Sequence, residues 1–220
     1  GTKVGNFGDL SNFSFYFGHH ITTIEGGMVC TNDEKLYDYA KLFRSHGMTR
    51  EASNQVQEQY ERTRPDLNPL FTFAVPGYNM RNQELNAVLG LEQLKRLNYN
   101  CDKRRDNFKT WVDSLDSNKF FIDFHQNGNS NFALPLVLKE KDLELFERCC
   151  ILLNNEKVEY RIGTAGGGNQ ARQPYLDKYD FVKHDLSNVD HIHDFGLYIG
   201  NHPELVEKDI INLCEELNRL

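Results

Sequence analysis

Residues 13–27 read FSFYFGHHITTIEGG, and two imidazoles, His19 and His20, stand side by side where an alternating apolar segment gives way to a polar turn. A histidine at the mouth of a strand can ligate a metal, hydrogen-bond locally, or move protons, because an imidazole titrates near pH ~6.5. It cannot do what a lysine amine does there, which is to condense with a carbonyl and hold it covalently. The other chemistry-bearing clusters are weaker. His184, His191 and His193 invite a zinc reading, but their spacing fits no familiar ligand pattern and H-I-H reads as exposed polar sequence, so no metal is expected. GTAGGGNQ at 163–170 lacks the Lys-Ser/Thr ending of a P-loop and the order of a dinucleotide fingerprint, and reads as a flexible loop over a ligand pocket. Cys30, Cys101, Cys149, Cys150 and Cys214 form no CxxC pair and leave one odd, which suits reduced thiols in a cytoplasmic protein.

These groups need a scaffold, and the composition supplies one. With 39% hydrophobic residues and a mean hydropathy of −0.62, a chain of 220 residues can bury a sizeable core and stay soluble. No run approaches the roughly 18 to 20 apolar residues of a membrane span, so no membrane partner is expected. A net charge of −7 argues against a general nucleic-acid binder. Small molecules or other protein chains are the expected partners. The chain opens without a methionine and enters a strand almost at once, as though upstream sequence were missing.

The hydrophobic pattern predicts the elements that position the histidines. Phe13, Phe15 and Phe17 alternate with Ser14 and Tyr16 as in a strand, and GMVCT at 27–31 reads as its return partner. Asn32 or Asp33 can cap a helix carrying Leu36, Tyr39, Ala40 and Phe43 that stops at Gly47. Residues 49–69, polar and holding Pro65 and Pro69, read as a long solvated excursion, partly helical at best. A helix over about 82–97 should turn Leu85, Val88, Leu89 and Leu94 inward. Another over 102–116 carries Phe108, Trp111, Val112 and Leu115. FFIDF and FALPLVL then read as strands, followed by a helix at 141–154, the strand VEYRI, a strand near FGLYIG and a closing helix over 204–217. The expected class is α/β, with a boundary near residue 100 between an α/β part, 1–100, and a smaller α+β part, 101–220.

The run S-F-x-x-x-H-H-I-T-T-x-E-G-G-M resembles the cofactor-lysine segment of the DegT-type sugar aminotransferases, with His19 in the lysine position. RSHG at 44–47, PGYNMRNQELNAVLGLEQL at 76–94 and RQPYL at 172–176 agree, so the resemblance covers nearly the whole chain. It implies an aspartate-aminotransferase-like fold type I of pyridoxal-phosphate (PLP) enzymes. This chain looks like its C-terminal half: the end of the large PLP-binding domain plus the small α+β domain. The segment that precedes GTKVGNFG in the family carries the phosphate turn, the ring-stacking aromatic and the acid for the pyridine nitrogen, so this chain alone would hold an incomplete site.

A histidine in place of the lysine is similar to the nucleotide-sugar 3-dehydratase branch. The resemblance then implies a lyase, with GDP-4-keto-6-deoxymannose of colitose and O-antigen deoxysugar biosynthesis as the expected nucleotide-sugar substrate. The cofactor would be pyridoxal 5'-phosphate, working as pyridoxamine 5'-phosphate with L-glutamate as amino donor, and His19 would be the base. Ser14, five residues before His19, would bind the cofactor phosphate. Asn79 would reach that phosphate from the partner subunit of a homodimer with shared sites, with Arg81 close by. His46 would touch sugar or cofactor, and Glu159, Arg161, Asn169 and Gln173 would line the sugar pocket. The CDP-sugar relatives carry a cysteine cluster after the position of Gly47; SHGMTREASNQ holds none, so no iron–sulfur cluster is expected.

Plainer readings stand beside these. His19 and His20 can be turn histidines, Ser14 a small outward strand residue and Asn79 turn chemistry; the flanking Ser-Phe and Glu-Gly-Gly favour function for His19, while His20 reads as local packing. An ordinary nucleotide-sugar aminotransferase of the same fold, or a catalytically incomplete fragment that only dimerises or binds ligand, are the alternatives.

Overall fold

The computed structural model describes residues 1–163, 168–181 and 184–220. The chain divides into two compact units, Gly1–Leu97 and Asn98–Leu220.

In the first unit, β1 (Ser11–Ser14) pairs antiparallel with β2 (Gly27–Cys30), with Ser11 opposite Cys30 and Ser14 opposite Gly27. The expected strand is cut short at Ser14: from Phe15 on, the backbone bonds back onto Thr23 and Gly26 and leaves the ladder. α1 (Glu34–Arg44) starts at Asp33, whose carboxylate accepts from Leu36 N at 2.9 Å, as the capping rule requires. The 49–69 excursion is more ordered than its sequence suggests. It holds a full helix, α2 (Asn54–Thr63), with 3-10 turns at Thr49–Glu51 and Pro69–Phe71. Only Val56 and Tyr60 gave an apolar signal there; the helix start is fixed instead from α1, where Asp38 accepts from both Ser53 N and Ser53 Oγ at 2.7 Å.

α3 (Glu84–Lys95) corrects the sequence expectation most sharply. Leu85, Val88, Leu89 and Leu94 point outward, exposed by 73, 60, 42 and 55%. Asn86 and Gly90, four apart on the helix, face the unit instead. The apolar residues do not form one stripe: Leu94 lies nine residues after Leu85, on the opposite side of the helix, and Leu91 is exposed as well. The buried apolar residues of the unit are few: Leu42, Met48 and Ala52.

The second unit follows the opposite rule and packs one apolar core. It contains α4 (Leu97–Ser114), β3 (Ala133–Val137), α5 (Leu143–Asn155), β4 (Tyr160–Ile162), α6 (Ser187–Phe195), β5 (Gly196–Gly200) and α7 (Glu207–Arg219). The sheet order is β3-β5-β4, all antiparallel, with Leu134 opposite Ile199 and Tyr160 opposite Ile199. FFIDF forms no strand of its own. Phe120 makes a single bridge to Leu138 and drops its fully buried ring into the core. Trp111, Leu134, Leu153, Leu197 and Leu217 fill the space between α4, α5, α7 and the sheet, and Trp111 Nε1 donates to Pro135 O at 2.7 Å. Burial pushes the Cys149 and Cys214 thiols up to about 12, so both behave as small apolar core residues. At one end Asn201 joins three segments, accepting from Asn107 Nδ2 at 3.0 Å and donating to Arg104 O and Asn131 O.

Among the described residues no helix is long and apolar enough to cross a membrane, and no group of three His, Cys, Asp or Glu is placed to hold a metal ion. The H-I-H pair lies on α6, not on an exposed strand or loop. His191 Nε2 is 2.6 Å from Leu138 O, and His193 Nδ1 accepts from Asn169 N at 2.9 Å.

Candidate active site

The histidine loop grows out of the end of β1. Phe15 N donates to Gly26 O at 2.8 Å, and Thr23 N donates to Phe15 O at 2.9 Å, which closes the loop at its base. His19 stands near the tip, half-buried; its N–H reaches Tyr16 O at 3.1 Å and its ring meets the Tyr16 ring edge-on, 6.3 Å between centroids. Ser14 is exposed at the strand end, and its Oγ accepts a long 3.4 Å bond from Tyr16 N. The hydroxyl is therefore presented outward with its own proton available to donate.

RSHG and PGYN meet as two crossing backbones. Tyr78 N donates to Phe43 O, His46 N to Tyr78 O (both 2.7 Å) and Met80 N to Arg44 O at 2.9 Å, so Ser45 lies opposite Asn79. The crossing works only with glycine at its centre. Gly47 has φ +78°, and a Cβ there would lie 1.8 Å from Val75 O; a Cβ on Gly77 would lie 2.3 Å from Gly47 N. His46 itself is left-handed at φ 60°, an uncommon conformation that the ladder on Tyr78 holds in place. Ser45, fully buried just before it, has an Oγ with no hydrogen-bond partner. Gly47→Ala should cost about 1–3 kcal/mol through overpacking and backbone strain. Urea unfolding followed by circular dichroism measures it, and a loss below ~0.5 kcal/mol would show that the two backbones can part without penalty.

The third stretch closes the histidine loop from the side. Asn86 Nδ2 donates to Thr23 O at 2.8 Å and to Glu25 O at 3.0 Å. Between those two carbonyls Ile24 sits at φ 73°. The sequence reading missed Asn86. Its signal, visible in hindsight, is an amide in the middle of an otherwise apolar helix; the strain at Ile24 has no sequence signal at all.

The other expected residues, Glu159, Arg161, Asn169 and Gln173, lie in the second unit. Asn169 is 4% exposed and fully engaged: its amide donates to Asp190 Oδ1, its carbonyl oxygen caps Ala171 N, and its backbone N–H binds His193. It is an anchor of its own loop. The Asn169 amide, with Arg172, holds the Asp190 carboxyl below the usual carboxylate range; Arg172 also pairs with Asp194 at 2.8 Å. Glu159 lines a cavity of about 510 Å³ with Trp111, Ile199, Glu156, Asp209 and Glu216. Four carboxylates, those of Glu156, Glu159, Asp209 and Glu216, line it. Arg161 is exposed on the edge strand β4, opposite Tyr198, and Gln173 is half-buried between two 3-10 turns. Part of the glycine-rich stretch, 164–167, lies outside the described residues.

A scan against protein families matches the DegT/DnrJ/EryC1/StrS aminotransferase family over residues 1–218. The chain belongs to the DegT/DnrJ/EryC1/StrS aminotransferase family. It is 29% identical over its whole length to GDP-4-keto-6-deoxy-D-mannose 3-dehydratase of Yersinia pseudotuberculosis, of which it spans 56%. It is 34% identical, over 63% of its length, to UDP-4-amino-4,6-dideoxy-N-acetyl-beta-L-altrosamine transaminase of Helicobacter pylori, spanning 34% of that protein. Its structure matches the crystal structure of GDP-4-keto-6-deoxymannose-3-dehydratase with a trapped PLP-glutamate geminal diamine at TM-score 0.84 and 28% identity, covering 98% of this chain and 56% of that one. Over the part it spans, this DegT family member has the PLP fold type I of the sugar aminotransferases, and the chain spans about half the length of the dehydratase relatives it matches. What the chain contributes suits such a cofactor. The Ser14 hydroxyl, the Asn79 amide and the Arg81 guanidinium are all exposed donors of the kind a phosphate needs.

Proposed function

We propose that the protein removes the C3 hydroxyl of a nucleotide-linked 4-keto-6-deoxyhexose, GDP-4-keto-6-deoxymannose by preference, with PLP and L-glutamate and with His19 as the base. One observation carries this reading. The resemblance of S-F-x-x-x-H-H-I-T-T-x-E-G-G-M to the cofactor-lysine segment puts His19 in the lysine's position, and no lysine stands anywhere between Lys3 and Lys35. The loop therefore offers a proton acceptor and no amine that could tether a carbonyl.

PLP supplies an electron sink for the bonds that break at the sugar; this chain's residues supply placement and proton transfer. His19 accepts the proton whose loss allows the C3 hydroxyl to leave. Ser14, Asn79 and Arg81 hold the phosphate by charge-assisted hydrogen bonds, which must carry more of the affinity because no covalent bond shares it. His46, fixed by the crossing at Gly47, is proposed to reach sugar or cofactor. Asn79 and Arg81 are assigned to the site of a partner subunit in a homodimer, and Arg161 and Gln173 to the sugar side of the pocket.

The full-length protein incubated with GDP-4-keto-6-deoxymannose, PLP and L-glutamate should release ammonia and form the 3-deoxy-4-keto sugar. A 4-amino sugar formed without ammonia would assign it instead to the aminotransferases, the reading that the 34% identity to a transaminase favours. In that case borohydride should trap a lysine–cofactor adduct in this chain.

A further inference from the structure

Ile24 lies within the histidine loop at φ 73°, a conformation that a β-branched residue avoids because its two γ-carbons crowd the backbone there. Nothing about the side chain explains it, since Ile24 is 67% exposed. The backbone on either side does. The carbonyls of Thr23 and Glu25, immediately before and after the strained residue, both accept from the single amide nitrogen of Asn86 on α3. Thr23 Oγ1 adds a bond to Glu25 O at 2.8 Å, and Thr22 Oγ1 accepts from Ile24 N at 3.1 Å. Thr23 is 3% exposed, so its carbonyl has no water to replace Asn86. One turn further along α3, Gly90 lets the helix approach: a Cβ there would press to 3.3 Å on Thr23 Cγ2. The polar and small positions of α3 are thus spent on this loop, and its leucines are left outside.

Resting on the proposed role of His19, we infer that Asn86 is a positioning residue for the reaction: its amide clamps the backbone across Ile24 and so fixes where the tip of the loop holds the His19 imidazole. The clamp and the strain are two halves of one device. Without the two bonds, Ile24 relaxes toward negative φ, Thr23 rotates away from Phe15 O, and the loop that starts at that bond carries His19 with it. A contact that merely added stability would leave the bond-breaking step unchanged once the protein had folded.

The test uses the full-length protein with Asn86→Ala, Asn86→Gln and the double variant Ile24→Gly/Asn86→Ala. Asn86→Ala should lower kcat about 10- to 100-fold with KM for the nucleotide sugar within about twofold, the pattern of a misplaced reacting group. Asn86→Gln, which keeps both N–H donors, should recover most of the rate. Glycine is unstrained at φ 73°, so Ile24→Gly should return the Asn86→Ala enzyme to within about fivefold of wild type. Independently of turnover, the His19 ring resonance, assigned by its loss in His19→Asn, should move in Asn86→Ala and return in the double variant.

An Asn86→Ala protein that melts within a few degrees of wild type, turns over within twofold of it and leaves the His19 resonance in place overturns the clamp. If the resonance moves and returns as described while His19→Asn retains full rate, the clamp stands and the assignment of His19 as base is what fails. A double variant with neither rate nor resonance restored overturns the coupling to Ile24. Should Asn86→Ala fail to fold, the Asn86→Gln resonance and rate decide alone: both near wild type support the clamp, and a moved resonance with lost rate opposes it.

Discussion

His19→Asn is expected to abolish dehydration while leaving cofactor binding intact. A positioned general base contributes about 10²- to 10⁴-fold, and asparagine keeps the size and a hydrogen-bonding edge of the imidazole but cannot take up a proton. The fall should therefore appear in kcat, with KM nearly unchanged, because no binding contact is removed. Single-turnover mixing with GDP-4-keto-6-deoxymannose, followed at the absorbance of the cofactor, separates the two quantities. Retention of more than a tenth of the wild-type rate would remove His19 from the chemistry. His19 bonds Tyr16 O through its backbone N–H, and the closing bonds at Phe15 are backbone bonds that asparagine at 19 can keep, while the edge-on contact with the Tyr16 ring goes with the imidazole.

Trp111→Ala should destabilise the second unit by about 3–5 kcal/mol, the range for deleting a buried aromatic. Trp111 is 0% exposed, at the centre of the cluster formed by α4, α5, α7 and the sheet, and its Nε1–H satisfies Pro135 O on β3. Alanine leaves a cavity that Leu134, Leu217 and Cys214 cannot close, because each is fixed by its own strand or helix. Urea unfolding read by far-ultraviolet circular dichroism measures the loss; fluorescence cannot, since this is the only tryptophan. A cost under ~1 kcal/mol would mean that the core collapses around the missing ring, against the close packing described.

These two residues also mark how far the sequence could be read. Trp111 lay on an apolar helical face, and that face is buried, because in the second unit the residues that cover it are all in the chain. The same periodicity in α3 pointed the wrong way. Its leucines and valine are spread around the helix, with Leu94 opposite Leu85, and the side that packs on the unit is the one bearing Asn86 and Gly90. His19 was singled out by its type and flanking residues, while the conformation of the backbone around it had no sequence signal: φ at Ile24 and His46 is set by tertiary bonds to Asn86 and Tyr78. α2 was underestimated because its start is fixed by Asp38 from another helix, beyond any local signal. Asn169 was read for a ligand contact from its type and its stretch, and its hold on its own loop through Asp190, Ala171 and His193 had no sequence signal.

The crossing at Gly47 has a further consequence, for the chain between its two arms. Ala74 N bonds Gly47 O at 2.8 Å, Met48 bridges Phe73, and Thr49 N bonds Thr72 O at 2.9 Å, so both ends of the 49–69 excursion are zipped together where they leave the site. The entropy of closing the segment is thus met at its neck by backbone bonds, and the segment is tied a second time where Asp38 of α1 accepts from Ser53 N and Oγ. The excursion is in that sense a loop with two latches, one at the crossing and one on α1.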